Sequence, residues 1–159
     1  MIENLQHVVE TIPAILRILA LAGLGAIPFV ESYFGSAVGV LAGVNPVLAV
    51  AAASLGNMIC MIVLVLVLGA GRVRGAVTAR REPRTPSRRR QRFDRLFDKY
   101  GVAGVSLLGQ TVLPSQITSA MMADMGANRT KIIAWQCVSI ILWGTLFAVL
   151  ASVGLWTVE

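Results

Sequence analysis

From Asn45 to Gly71 the chain carries no charged residue. A helix needs about 20 consecutive apolar residues to cross the hydrocarbon of a bilayer, and this stretch is long enough. A soluble core of 159 residues has no room to bury such a run beside others like it. Hydrophobic residues make up 56% of the chain and charged residues only 14%, against about 25% charged in a soluble domain. The chain therefore reads as an all-α integral membrane protein, a single membrane domain over residues 1–159.

The stretch 45–71 is predicted to be one transmembrane helix and 128–156 a second, with Trp135 and Trp156 placed to form an aromatic belt. Two further apolar regions, 11–43 and 101–126, are too long for one straight span and too interrupted for two. Pro28 breaks the first and Pro114 the second, each with glycines on both sides. Each half-region is too short to span but suits a re-entrant arm, so both regions are expected to be helical hairpins with tips at Pro28 and Pro114.

The two halves also resemble each other. AGVNP (42–46) and MGANR (125–129) both place Gly-x-Asn before a long apolar run. Small residues recur every fourth position after each proline, at Gly35, Gly39 and Gly43 and at Ser115, Ser119 and Ala123. Such stripes let helices pack closely in lipid. Eleven of the fourteen basic residues lie between Arg72 and Lys99 with three acids, a net charge of +8 there. By the positive-inside rule the loop 72–100 faces the cytoplasm, which puts both termini outside. A hairpin returns to the side it left, so the halves form an inverted repeat of hairpin plus transmembrane helix, a transporter arrangement.

Between Thr11 and Gly71 the only charges are Arg17 and Glu31. Glu31 lies three residues after Pro28, at the expected tip. A low-dielectric site favours the neutral form of a carboxyl, and an intramembrane ionisable group is a site candidate by default. Arg17 is expected to snorkel to the headgroups, to reach Glu31, or to meet a lipid phosphate. The second tip offers an uncharged polar set, Gln110, Thr111, Ser115 and Gln116, able to bind substrate or to satisfy backbone groups freed around Pro114.

Pro83 and Pro86 interrupt the basic loop. Beyond them Phe93, Leu96, Phe97 and Tyr100 share one helical face. This amphipathic helix is expected in the cytoplasmic interface, with Arg88, Arg89, Arg90 and Arg92 among anionic headgroups. Nucleic acid is not an expected partner, because the basic run sits between membrane segments and no DNA-binding motif accompanies it. Cys60 and Cys137 read as small apolar side chains. MIENLQHVVE is acidic and does not read as a cleavable signal peptide. The lone His7 has no triad or ligand set around it, and there is no Walker loop or dinucleotide fingerprint. No enzyme, cofactor or metal site is expected.

FDKYGVAGVSLLGQTVLPSQITSAMMADMGANRTKIIAWQCVSIILWG resembles the second half of the DedA (VTT-domain) superfamily, and IPFVESYFGSAVGVLAGVNP…GN is similar to the opening of its small multidrug export group. The resemblance covers residues 11 to 155. It implies a multi-pass transporter of the bacterial inner membrane with two opposed re-entrant hairpins. Glu31 best matches the family's hairpin acid. It also implies a link to an undecaprenyl-phosphate-type carrier lipid and to proton-dependent drug tolerance. DedA proteins carry arginines around the second proline, whereas Gln110 and Gln116 stand here, so a phosphate would be held less tightly. The function expected is a DedA-like secondary transporter exporting a small amphipathic or cationic compound, with the proton as its candidate coupling ion. The alternatives are a lipid-carrier translocase and a non-transporting scaffold or subunit. A two-span chain of this kind is also a candidate homodimer.

Overall fold

The computed structural model describes residues 11–69, 88–110 and 113–156. Among these residues six helices form in this order: α1 Ala14–Ala26, α2 Glu31–Leu41, α3 Pro46–Gly69, α4 Arg88–Gly109, α5 Ser115–Asp124 and α6 Arg129–Trp156. The described residues hold no strand. Within α3 and α6, Pro46–Val67 (22 residues) and Arg129–Leu155 (27 residues) are long and apolar enough to cross a membrane. At 1.5 Å per residue they measure about 33 and about 40 Å, against a hydrocarbon thickness of about 30 Å.

The Gly-x-Asn motifs prove to be paired stop and start signals. Gly43 (φ 78°) and Gly126 (φ 86°) take the left-handed conformation that lets a helix end. The amides of Gly43 and Val44 donate to the carbonyls of Val40 and Gly39 (3.0 and 2.9 Å), and those of Gly126 and Ala127 to Ala123 and Met122 (both 3.1 Å). This is the same Schellman pattern twice. Two residues after each glycine an asparagine caps the next helix. Asn45 Oδ1 accepts from the amides of Val47 (2.9 Å) and Leu48 (3.4 Å), and Asn128 Oδ1 from Lys131 (3.1 Å). Gly43 therefore serves as a helix stop, which corrects its expected place in a packing stripe with Gly35 and Gly39.

The basic segment ends as the sequence indicates. Within α4, Gly101 has φ 62° and ψ −162°, a region essentially closed to other residues. It divides an amphipathic first part from an apolar second part. In the first part Phe93 is buried and Leu96 and Phe97 half-buried, while Arg95 and Lys99 are exposed. A methyl on Gly104 would run into Tyr100 Cβ, so the second glycine of KYGVAG makes room for the tyrosine across the bend. Residues 72–87 of the loop lie outside the described residues.

The chain forms two compact units, residues up to Cys60 with those from Ile140 on, and Met61–Ser139. In the first unit α1 and α2 pack on each other. Leu21, Val40, Ala49, Ala52 and Ala148 form the core of this unit. Its helices meet almost backbone to backbone. A methyl on Gly25 would strike the carbonyl of Ala53, and one on Gly56 the carbonyl of Ala22. Gly35 and Gly39 leave room for the methyl groups of Ala53 and Ala49, the close approach that small residues allow between helices. In the second unit the amide of Thr118 bonds to the Pro114 carbonyl (2.9 Å), and α4 packs on α5.

These contacts separate glycines that pack from one that does not. Gly25→Ala and Gly56→Ala should each lower stability by about 1–3 kcal/mol through overpacking. Gly23, where a methyl meets nothing within 4 Å, should gain about 0.5–1 kcal/mol as alanine. Thermal unfolding of the three variants in detergent micelles checks the order.

Candidate functional site

The first hairpin turns where Pro28 supplies no N–H. α1 closes with the Ile27 amide on the Leu24 carbonyl (3.1 Å), and the amides of Val30 and Glu31 then both donate to Ile27 (3.2 and 3.0 Å). This tight reversal forces Phe29 (φ 74°) and Glu31 (φ 53°) into the left-handed region. Such non-glycine positions cost about 1–3 kcal/mol each and persist where the surroundings hold them. The apex points apolar groups outward: Ile27, Pro28 and Phe29 are exposed, Phe29 by 65%.

Glu31 is the opposite case, with no exposed surface. It is the only fully buried charged residue among those described. It opens a polar face of α2 on which Ser32, Gly35, Ser36 and Gly39 are also buried. Ser32 Oγ donates to the Ile140 carbonyl (2.9 Å), tying α2 to α6. From α3 come Ser54 and, three residues on, Asn57, both buried. Ser36 Oγ and Ser54 Oγ have no hydrogen-bond partner. Both stand beside Gly144 of α6, where a methyl would lie 3.3 and 3.2 Å from them.

Ser54 also reaches an apolar groove of about 540 Å³ between α3 and α6. Val50, Ala51, Leu55, Ile141 and Val149 help to line it. Its volume lies within the usual range of ligand pockets, about 300–1,000 Å³.

The second unit builds an uncharged polar cluster. Gln110 Nε2 donates to Gln136 Oε1 (3.4 Å), Gln136 Nε2 to Thr118 Oγ1 (3.0 Å), and Thr118 Oγ1 to the Ser115 carbonyl (3.0 Å). Ser139 Oγ donates to the Ser106 carbonyl (2.7 Å). Ser115, Gln116 and Ser119 are buried beside them. Pro114, also buried, precedes the first turn of α5, where its missing N–H leaves no gap in the helix. Part of the cluster donates to the Ser115 and Ser106 carbonyls, while Gln110 Oε1, Ser106 Oγ and Ser119 Oγ have no partner.

The expected site residues thus divide. Glu31 is buried in the first unit, and Gln110, Ser115 and Gln116 in the second. Arg17 goes elsewhere, donating Nε–H to the Ile12 carbonyl at 3.0 Å on the exposed side of α1. Thr111 lies outside the described residues. Arg88, Arg89, Arg90 and Arg92 fall in the first turns of α4. Sequence reasoning passed over Ser36, Ser54, Asn57, Gly144, Ser106, Gln136 and Ser139. A signal for most of them was present. Ser32/Ser36, Ser54/Asn57, Ser106/Gln110 and Gln136/Ser139 are polar pairs at helical spacing inside apolar helices.

Cys60 and Cys137 are free thiols. Among the described residues no three His, Cys, Asp or Glu side chains come together as a metal site would need. No family model, curated protein or solved structure matches the chain.

Gln136 accepts from one partner and donates to another. Gln136→Leu should lower stability by about 1–3 kcal/mol, since it strands buried Thr118 and Gln110 groups. Trp135→Leu, at an exposed position one residue earlier, serves as the control in the same detergent unfolding assay and should stay near wild type.

Proposed function

We propose that the chain is a membrane transporter for a small amphipathic compound, with Glu31 taking part in proton coupling or substrate contact. The observation that carries this reading is the complete burial of Glu31 at a strained helix break, in a hairpin with no other buried charge among its described residues. A buried charge is costly, and strained, ionisable positions of this kind concentrate at functional sites. The groove beside Ser54 offers an apolar bed for the substrate body.

The membrane setting is supported by an inverted polarity. Leu48, Leu55, Ile59, Val63, Leu142 and Leu150 are exposed, while Glu31, Asn57, Gln116 and Gln136 are buried. Water would reverse both groups; lipid favours them as they stand. The exposed apex of Ile27 and Phe29 suits hydrocarbon in the same way. In this reading both hairpins are re-entrant and the two halves form an inverted repeat. The first part of α4 lies in the cytoplasmic interface, with its arginines toward anionic headgroups. The DedA resemblance of the sequence points to the same class and to a bacterial inner membrane. A lipid-phosphate substrate fits less well, because the polar cluster of the second unit holds no cation among its described residues.

Proteoliposome flux tests the proposal. Purified wild type should move a lipophilic fluorescent probe under an imposed proton gradient, and Glu31→Gln should reduce that flux to the level of empty vesicles. Equal flux and equal pH dependence for both proteins would remove Glu31 from the mechanism. No gradient-dependent movement by wild type would favour a scaffold.

A further inference from the structure

We propose that the groove between α3 and α6 binds an uncharged amphiphile, an alkyl chain with one hydrogen-bond-accepting head, with that head at Ser54. The site stands on its own geometry; only its use as the substrate site rests on the transport reading. The groove of about 540 Å³ runs between Pro46 and Met58 on α3 and between Ile141 and Ser152 on α6, all within the first compact unit. Ser54, Thr145 and Ser152 bring hydroxyls to its wall. Ser152 is already engaged, donating to the Ala148 carbonyl at 2.9 Å, the usual way for a serine in an apolar helix to satisfy itself. Ser54 is 3% exposed and its Oγ has no hydrogen-bond partner. It packs at Gly144, where a methyl would lie 3.2 Å from that oxygen, and Thr145 is the next residue. Ala148, one turn on, packs with Ala49 and Ala52. The groove therefore has one polar rung at Ser54 and Thr145, with Val47, Val50, Ala51 and Val149 forming the apolar wall on the Pro46 side of it.

The chemistry of the wall selects the ligand. No charged side chain lines the groove among the described residues, so an ionic head would sit there uncompensated in a low-dielectric setting. The unengaged group is a hydroxyl, which can donate to an alcohol, ether or carbonyl oxygen. In lipid an alkyl tail gains nothing by moving from the bilayer to the groove. The head gains a hydrogen bond that hydrocarbon does not offer. From Val47 to Ser54 the helix rises about 10 Å, the length of about eight methylenes at about 1.25 Å each. A partner chain is the wrong size for the groove. From Val47 to Met58 it is about 17 Å long, and the space between packed helices is about 8–10 Å wide. That makes a face on the order of 150 Å², against about 800 Å² per partner in a stable protein interface.

Photolabelling of the full chain in nanodiscs with a tritiated eight-carbon alcohol that carries a diazirine tests this. Saturable incorporation is expected on peptides covering 46–58 and 141–152. Excess 1-octanol should displace it, while octylammonium and octyl phosphate should compete about tenfold less well or worse. Ser54→Ala, which removes the donor, should weaken binding about three- to tenfold, the loss of one neutral hydrogen bond. Ala51→Phe should abolish it by filling the groove from an exposed position, which spares the core should the buried Ser54 variant fail to fold. Val63→Phe, exposed on α3 outside the groove, should leave labelling unchanged. Non-saturable labelling of wild type, equal competition by the charged compounds, or wild-type labelling in a folded Ser54→Ala or Ala51→Phe protein overturns the proposal. Glu31-dependent flux without saturable labelling would sink the groove site and leave the transport reading. Saturable labelling with no flux would do the reverse.

Discussion

A carboxyl group with no contact with bulk water is the most demanding element of the first unit, and much of the local structure bears on keeping it there. Glu31 follows directly on a reversal that α1 could not make while remaining helical. Pro28 ends the hydrogen-bond ladder, and Phe29 and Glu31 absorb the turn in left-handed backbone. The reversal sends apolar side chains outward at the apex and the acid inward onto the polar face of α2. Strain and burial coincide at one residue, a combination packing alone does not explain.

The surrounding helices come close enough to enclose the acid because glycine and alanine line their contacts. Gly25 against Ala53 and Gly56 against Ala22 bring α1 and α3 together at backbone distance. Gly35 and Gly39 do the same for α2 and α3. In lipid, where apolar side chains gain nothing by leaving the solvent, such close packing is a main source of helix association. Gly144 is a different kind of glycine. What it leaves open is lined by hydroxyls.

The helical elements were largely legible in the sequence. Uncharged runs gave the two long helices to within a few residues, and Pro28 and Pro114 marked both breaks. Gly101 marked the end of the amphipathic helix. The Gly-x-Asn repeat was visible as a pattern, but its meaning was not, since a Schellman stop followed by an asparagine cap is a backbone arrangement. The site was half legible. Glu31 stood out because charge is rare in its surroundings. Ser36, Ser54 and Gln136 did not, because single polar residues in apolar helices are common and only the fold shows which of them converge. For Arg17 the sequence left snorkelling, Glu31 and a lipid phosphate all open, because charge along the chain says nothing about side-chain direction; its guanidinium turns back to Ile12.

Transport through this site requires the first hairpin to turn inside hydrocarbon while its acid stays sheltered from water. The most direct measurement is the depth of a spin label at position 29, introduced as Phe29→Cys with Cys60 and Cys137 replaced, in nanodiscs. Relaxation by oxygen should be strong and relaxation by a water-soluble nickel chelate weak, as for a site deep among acyl chains. Strong relaxation by the nickel chelate, as for a loop in bulk water, would contradict the account.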